Sequence, residues 1–425
     1  MTDPTPPSLS AENSLKVAIV GGGLAGTLAA RVLREQHQVT IYERDSRLLE
    51  VGAAINVGPN GVKILESLGF DRNRVGSILV GRTLTWNKEG ELKHEAELTC
   101  QEEFGADWLF NHRADLREEF FRLATAPSAE LKLPGLPAAV RYGTRVIDVD
   151  VDEGSLTLEN GEVAKADLII AADGIKSLVR GAVVQDAVDS ARLSGFSAFR
   201  FTIERTKLEA LRESECLAAL DPEQPASLRM IFAFDSTKRS VVLYPCRDFQ
   251  LLNFVCIVPD SSLKEATTES WSATGDRDEL VALFADFPPW VLQSLEIAEN
   301  TKLWQLRDQD PLSAYTRGRT VLIGDAAHAM TPHQGQGGTQ AVEDAEGFRL
   351  FLGAHVNRDN VPDILRDFDR VRRPRASQIQ NNTRKAAKKR TAEEVYSFAK
   401  YNWTYPGIRE GLRRLNAGEE LIQFK

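Results

Sequence analysis

Residues 16–45 read KVAIVGGGLAGTLAARVLREQHQVTIYERD, and the fold turns on this stretch. Val17 to Val20 form a continuous apolar run, the pattern of a parallel strand buried on both faces. Gly21, Gly23 and Gly26 then satisfy G-x-G-x-x-G, and helix formers follow with apolar residues at Leu28, Ala29, Val32 and Leu33. A second strand, Val39 to Tyr42, ends at Glu43. Strand, glycine turn, helix, strand and terminal acid stand at the spacing of a dinucleotide-binding βαβ unit. One glycine permits the tight turn, another lets a pyrophosphate approach the helix N-terminus, and the third allows close helix packing. Glu43 would accept from the adenosine ribose hydroxyls, and its charge disfavours a 2′-phosphate in this fold. NAD and FAD both remain open on the fingerprint alone.

The rest of the chain narrows the function classes. With 425 residues, 42% of them hydrophobic, it can bury a core large enough for two intertwined domains. A formal charge of −9 argues against nucleic acid or anionic lipid as the main partner and favours small molecules. Cys100, Cys216, Cys246 and Cys256 have neither metal-like spacing nor a C-x-x-C pair, which suits a reducing compartment. The opening MTDPTPPSLSAENS has no apolar core of a signal sequence, and no run of eighteen apolar residues follows. The expectation is a cytoplasmic protein without a membrane span.

Two more segments separate NAD from FAD. Residues 166–180, ADLIIAADGIKSLVR, give an apolar strand, then Asp173-Gly174, then a short helix with Ser177 and Arg180. Residues 320–352, TVLIGDAAHAMTPHQGQGGTQAVEDAEGFRLFL, give a strand ending at Asp325, then Gly335, Gly337 and Gly338 before an amphipathic helix. The loop 324–338 has too little apolar bulk for core and too few charges for an ordinary solvated loop. The ordered set GxGxxG, DG and GDAAH…P…GQG resembles the single-component FAD-dependent aromatic hydroxylases of the p-hydroxybenzoate-hydroxylase-like class. EVGAAINVGPNGVKILESLG (50–69), NHRADL (111–116), LWQLRDQDPL (303–312) and AHAMTPHQGQGG are most similar to its salicylate-hydroxylase-like branch. The resemblance spans about residues 15 to 385.

The resemblance implies roles, residue by residue. Asp325 is similar to the family aspartate that binds the ribityl hydroxyls, and Arg113 to the arginine beside the flavin and its phosphate-ribityl chain. Asp173 and Gly174 resemble a pair near FAD and the visiting nicotinamide cofactor. Gly337 and Gly338 match the loop whose amides point at the flavin pyrimidine oxygens, where the following helix adds positive potential. Bare backbone there lets a planar ring lie close. Gly335, Arg44 and Ala54 are counted with the same cofactor contacts. Pro332 is similar to the proline beside the position of oxygen addition; alternatively it only ends the preceding segment. His333 could line the substrate side. His328 reads as a buried packing residue, with tuning of the flavin as the competing role.

Residues 185–300 differ in kind. FSAFRFTI, SLRMIFAF, SVVLYPCR and LLNFVCIVPD are strand-like runs of an antiparallel sheet, the expected place of the substrate domain. Arg200 and Tyr244 stand at positions similar to those lining the family's substrate cavity; an arginine could hold a carboxylate or phenolate there, and a tyrosine could hydrogen-bond a phenol. The competing reading leaves both satisfied within the sheet. The expected fold is α/β: a Rossmann-like FAD-binding domain with a parallel sheet, intertwined with a mostly antiparallel substrate domain, plus a C-terminal helical segment. Its FAD-binding parts are 1–74, 105–184 and 301–360, its substrate parts 75–104 and 185–300, and its helical end 361–425. A long helix is expected over 368–390, with the basic run Arg384–Arg390 as a solvated face and 391–425 as a docked tail or dimer contact.

The implied activity is that of an FAD-dependent monooxygenase. NAD(P)H would reduce FAD, O2 would add to give a C4a-hydroperoxyflavin, and its distal oxygen would attack a phenolic, salicylate-like ring, with decarboxylation if that carbon bears a carboxylate. Three other readings stay open: an indole, polyketide or terpenoid substrate of secondary metabolism; an FAD-dependent dehydrogenase or reductase without oxygen insertion; and a non-catalytic FAD-binding module. The expected partners are a small aromatic substrate, O2 and NAD(P)H, with no nucleic acid and no metal, in a monomer or homodimer.

Overall fold

A computed structural model describes residues 14–46, 53–185, 191–211, 215–265, 274–386 and 392–422. The βαβ stretch forms as its pattern dictates: strand Lys16–Val20, helix Leu24–Leu33, strand Gln38–Tyr42. These strands sit inside a six-stranded sheet ordered Thr316–Arg317, Thr320–Leu322, Leu168–Ala171, Lys16–Val20, Gln38–Tyr42, Ala139–Arg141. Every pairing is parallel except that of the Thr316–Arg317 edge strand. Burial on both faces explains why the runs are apolar without alternation. Val17, Ile19, Leu168, Ile170 and Val321 pack with the helix side, whereas Ala18, Val20, Ile169, Ala171 and Leu322 pack with Val149, Leu156 and Val179 on the other.

A nine-stranded sheet forms the second layer. Its order is Lys302–Asp308, Arg192–Glu204, Leu251–Pro259, Ser240–Cys246, Ala226–Phe232, Ile78–Asn87, Leu109–His112, Ala54–Val57, with Leu92–Glu97 hairpinned onto Ile78–Asn87. The four runs read as strands in the sequence are its centre. Pairing is antiparallel except between Ala226–Phe232 and Ile78–Asn87. One face buries Phe199, Phe201, Val241, Leu243 and Phe254 under helices Arg277–Leu283 and Pro289–Glu296. The alternate residues Arg200, Val242, Tyr244 and Val255 face the other way. There Tyr244 stacks on Phe110 at 4.5 Å between ring centroids, and the Ala54 amide donates to Asn253 Oδ1 at 3.0 Å.

The sequence segmentation put Ala54–Val57, Leu109–His112 and Lys302–Asp308 with the FAD-binding parts; all three pair in the large sheet. Apolar pattern reports that a strand is buried and is silent about its neighbour, so the pairing of strands that carry the chain between layers is not legible in it. The long helix runs Val361–Ala386 with Pro374 inside it, and residues 387–390 of the expected helix lie outside the described residues. Arg384 is no bare solvated cation: it pairs with Asp308 at 2.5 Å and Asp310 at 2.8 Å. Helices Ala392–Trp403 and Ile408–Asn416 dock on the body, where the Trp403 ring packs against Phe104 and Trp108. Among the described residues, no helix is long and apolar enough to cross a membrane.

Candidate active site at the flavin loop

The three nucleotide glycines have different reasons to lack a side chain. Gly21 has φ +102°, and a Cβ there would stand 2.5 Å from the Ala172 carbonyl oxygen. At Gly26 it would stand 2.1 Å from the Gly21 oxygen, so this glycine lets the helix close on the strand. Around Gly23 nothing lies within 4 Å. That open side at the N-terminus of Leu24–Leu33 is where a pyrophosphate fits, because its first-turn amides have no intrahelical acceptor. Glu43, buried at the end of the second strand, accepts from the Gly22 amide at 2.8 Å and the Asp45 amide at 3.0 Å. A carboxylate retains lone pairs beyond these two bonds, so it can still receive ribose hydroxyls. Arg44 points to solvent beside Asp45.

Asp325 stands apart from its neighbours by exposure. From Thr320 to Ala329 every residue is buried except Asp325, whose side chain is exposed at the carboxyl end of the strand. Exposure of one acid in a buried run fits a carboxylate waiting for ribityl hydroxyls. Arg180 holds the surroundings: its guanidinium donates to the Ala326 oxygen at 2.8 Å, Asp325 oxygen at 3.1 Å, Ile175 oxygen at 2.9 Å and Gly174 oxygen at 3.3 Å. The DG and GD motifs are thus tied together by a side chain the motif reading left without a role. One Asp173 oxygen caps the next turn through the Leu178 amide at 2.8 Å, while the other is buried and lacks a protein partner. Gly174 has open space where a side chain would stand. Arg117, absent from the sequence expectations, donates to the Gly22 oxygen at 3.2 Å. It lies four residues after Arg113 on helix Arg113–Thr125, a same-face spacing that could have flagged it.

The loop 329–338 follows. Pro332 begins a short 3-10 turn with His333 and Gln334, closed by the Gly335 amide on the Pro332 oxygen at 3.0 Å. Pro332 and His333 are half-buried. Gly335 has φ +62°, which a side chain would strain, and a Cβ there would stand 2.5 Å from Asn56 Oδ1, whereas at Gly338 a Cβ would meet only the flexible tip of Ile55, 2.6 Å from its Cδ1. Gly337 is different, with only Met330 at 3.9 Å. It opens helix Gly337–Gly347, so the Gly337 and Gly338 amides belong to a first turn that offers donors to an anionic edge.

Behind this loop lies a network of paired charges. His328, fully buried, hydrogen-bonds through Nε2 to Asp344 Oδ2 at 2.6 Å, and that oxygen also accepts from the Gly324 amide at 2.8 Å. Asp344 Oδ1 accepts from Arg372 at 2.9 Å, Arg372 reaches Glu343 at 2.5 Å, and Glu343 takes two bonds from Arg375 at 2.6 and 2.7 Å and one from Asn60 at 2.6 Å. The neighbouring cations hold the carboxyls of Glu343 and Asp344 below the usual range although burial pushes them up. His328 is thus a member of this buried network through Nε2, while its Nδ1 is buried without a protein partner. The acids of VED (342–344) and arginines of RRPR (372–375) are about one helix length apart in sequence, which hid their meeting.

The sheet face opposite carries the other candidates. Arg200 lies with its guanidinium carbon 4.4 Å from the Trp304 ring centroid, and its Nε has no hydrogen-bond acceptor. Burial, and to a lesser degree Arg113, push its pKa down to about 10, while Tyr244 acts in the opposite sense. Tyr244, raised by burial, also hydrogen-bonds Asn56, the residue that packs on Gly335. Arg200, Trp304, Lys302, Ala53 and His112 line a cavity of about 320 Å³. Such a volume suits a small organic molecule. Tyr244 is not on its wall; it stands in the aromatic cluster with Phe110, Ala54 and Trp108.

An FAD cradle beside a small-molecule cavity on an antiparallel sheet defines a flavoprotein oxygenase architecture. Residues 14–383 match the family model described as FAD binding domain, and the chain belongs to that family. It is 31% identical over 377 residues to hispidin-3-hydroxylase of Neonothopanus nambi, covering 86% of this chain and 87% of that one. Salicylate hydroxylase of Pseudomonas putida is 29% identical over 387 residues, covering 87% and 84%. A solved salicylate hydroxylase substrate complex superposes with a TM-score of 0.70 at 26% identity, over 96% of this chain and 93% of that one. The chain is an FAD-dependent monooxygenase of the aromatic-hydroxylase type, with NAD(P)H as co-substrate.

Proposed function

We propose that the chain hydroxylates an anionic phenolic substrate seated in the Arg200–Trp304 cavity, with FAD held along Gly23, Glu43, Arg113, Asp325 and the Gly337–Gly338 amides. The observation carrying this reading is Arg200. A cation in this setting, with an unfilled donor and a second arginine among its neighbours, is stabilised by an incoming carboxylate or phenolate. Bound FAD supplies the oxidising chemistry: two electrons from NAD(P)H and one O2 put one oxygen atom on the ring and release the other as water. The protein's part is positional and electrostatic. Arg200 anchors the substrate's anionic group and so fixes how the ring is presented, and the Gly337 and Gly338 amides favour negative charge on the flavin edge. Tyr244 orients Asn56 and with it the loop at Gly335. Pro332 and His333 form the wall that keeps water from the reacting face. Asp173 and Gly174 border the place where the nicotinamide cofactor visits.

Relatives act on a single-ring acid, salicylate, and on hispidin. Decarboxylating attack on a salicylate-like acid and plain hydroxylation of a larger phenol from secondary metabolism are the two forms of this reading. The four buried cysteines form no disulfide with one another, which suits a reducing compartment. The test is NAD(P)H oxidation by the FAD-loaded protein under labelled oxygen, with phenols carrying or lacking a carboxylate. Labelled product supports the reading, with carbon loss marking the decarboxylating form. Oxidation of the cofactor with no label in any product, together with anaerobic turnover on an artificial acceptor, would make the protein a dehydrogenase.

A further inference from the structure

The cavity contains a second cation that the FAD cradle and Arg200 do not account for. Strands Arg192–Glu204 and Lys302–Asp308 pair so that Arg200 and Lys302 are direct cross-strand partners. Directly opposed residues of antiparallel strands have Cα atoms only ~5 Å apart, and like charges so placed destabilise a sheet. Both side chains line the same cavity. Among the described residues neither makes an ion pair, although acids are near: Glu204 and Glu299 line the outer end, and Glu299 is taken by Lys207 at 2.6 Å. Arg247, also on the wall, is satisfied by Asp115 at 2.6 Å. Arg200 and Lys302 are therefore the two cations of the cavity left without a counter-charge.

The direction of the cavity adds a second constraint. Arg200, Thr202 and Glu204 are alternate residues of one strand, and all three line it. At ~3.3 Å of rise per residue they mark out about 13 Å from the inner end toward Lys207, Glu299 and Asn300. Lys302 belongs to the edge strand of the sheet, so it lies outward from Arg200 and away from the Tyr244 side. A site of this form accepts a ring at the inner end and an acidic extension alongside the pair.

We propose that Lys302, acting with Arg200, is a specificity-determining residue that clamps a carboxylate carried on a side chain of the aromatic substrate, so that the preferred class is a hydroxyaryl alkanoic or alkenoic acid. The proposal rests on the hydroxylase reading above. Its test uses the FAD-loaded full chain and calorimetric titration with 4-hydroxycinnamate and with 4-hydroxycinnamamide, its uncharged analogue. The acid binds at least about tenfold tighter than the amide; Lys302→Gln shrinks that gap to within about threefold, and Lys302→Arg restores it, with unchanged thermal unfolding marking the variants as folded. Equal binding of acid and amide to the unaltered protein overturns the proposal, as does a gap that survives Lys302→Gln. Oxygen label read in parallel separates this from the parent reading. Labelled product made equally well from acid and amide leaves the hydroxylase standing without the clamp, and an acid preference lost in Lys302→Gln without label in any product leaves the clamp standing without the hydroxylase.

Discussion

Arg372 is fully buried and Arg200 half-buried, and the two arginines serve opposite ends. Arg372 sits in a closed network where Asp344, Glu343 and Gln340 take its donors. Arg200 rests on an indole ring with a donor to spare, opposite another cation. Neighbouring carboxylates raise the pKa of Arg372, whereas burial lowers that of Arg200. A protein that saturates a buried charge is building structure, and one that leaves it open is keeping a place for a ligand.

The largest break in this comparison comes from the closed side. Arg372→Met leaves Glu343 and Asp344 short of a partner, and stability falls by about 3–5 kcal/mol in denaturant unfolding, a cost seen when one member of a buried pair is removed. An unchanged midpoint would mean that the network is ornamental. The glycines sharpen the same contrast. Gly26→Ala pushes a methyl into the Gly21 carbonyl and destabilises by ~1–3 kcal/mol, whereas Gly23→Ala folds with an unchanged midpoint and loses FAD, checked by unfolding and by flavin retained after dialysis. Asp325→Ala, on the exposed carboxylate, keeps its fold and binds FAD roughly tenfold or more weakly, since a hydrogen bond to a charged group is worth about 1.5–3 kcal/mol.

A smaller effect follows pH. Glu343 and Asp344 have carboxyls depressed in the folded protein, so the stability they add is full above their unfolded pKa values and is lost as pH falls through the folded ones. Glu346, raised by burial beneath Tyr405 and the Ile408 amide, works the other way: its contribution is full below its unfolded pKa and fades as pH rises through the folded one. The midpoint of thermal unfolding should drop on acidification below the ordinary carboxylate range, and Glu346→Gln should flatten the slope on its alkaline side. A midpoint indifferent to acid would contradict the charged state of the network.

Much of this was legible because it is local. The βαβ unit is written in thirty consecutive residues, and the four central strands of the large sheet each announce themselves by composition. Asp325 is singled out by the resemblance of its GDAAH motif to the family's, and not by composition. The surroundings of Gly335 and Gly338 could not be read in this way, because the side chains packed on them belong to Asn56 and Ile55, far away in sequence. The same holds for the closed network, assembled from residues 60, 328, 343, 344, 372 and 375. Lys302 was invisible for a sharper reason: a lysine in a strand means little until register sets it against Arg200, a hundred residues earlier. Periodicity yields elements and faces, while pairing and counter-charge come only from the assembled chain.

The most direct test of the contrast is a paired measurement on Arg200→Gln: thermal unfolding without aromatic ligand, and calorimetric affinity for an aromatic acid in the FAD-loaded form. Removing a half-buried cation that has no counter-charge should leave the midpoint unchanged or higher and weaken the acid by about tenfold or more. A variant that unfolds early yet binds the acid as before would contradict the account, for Arg200 would then be a structural charge like Arg372.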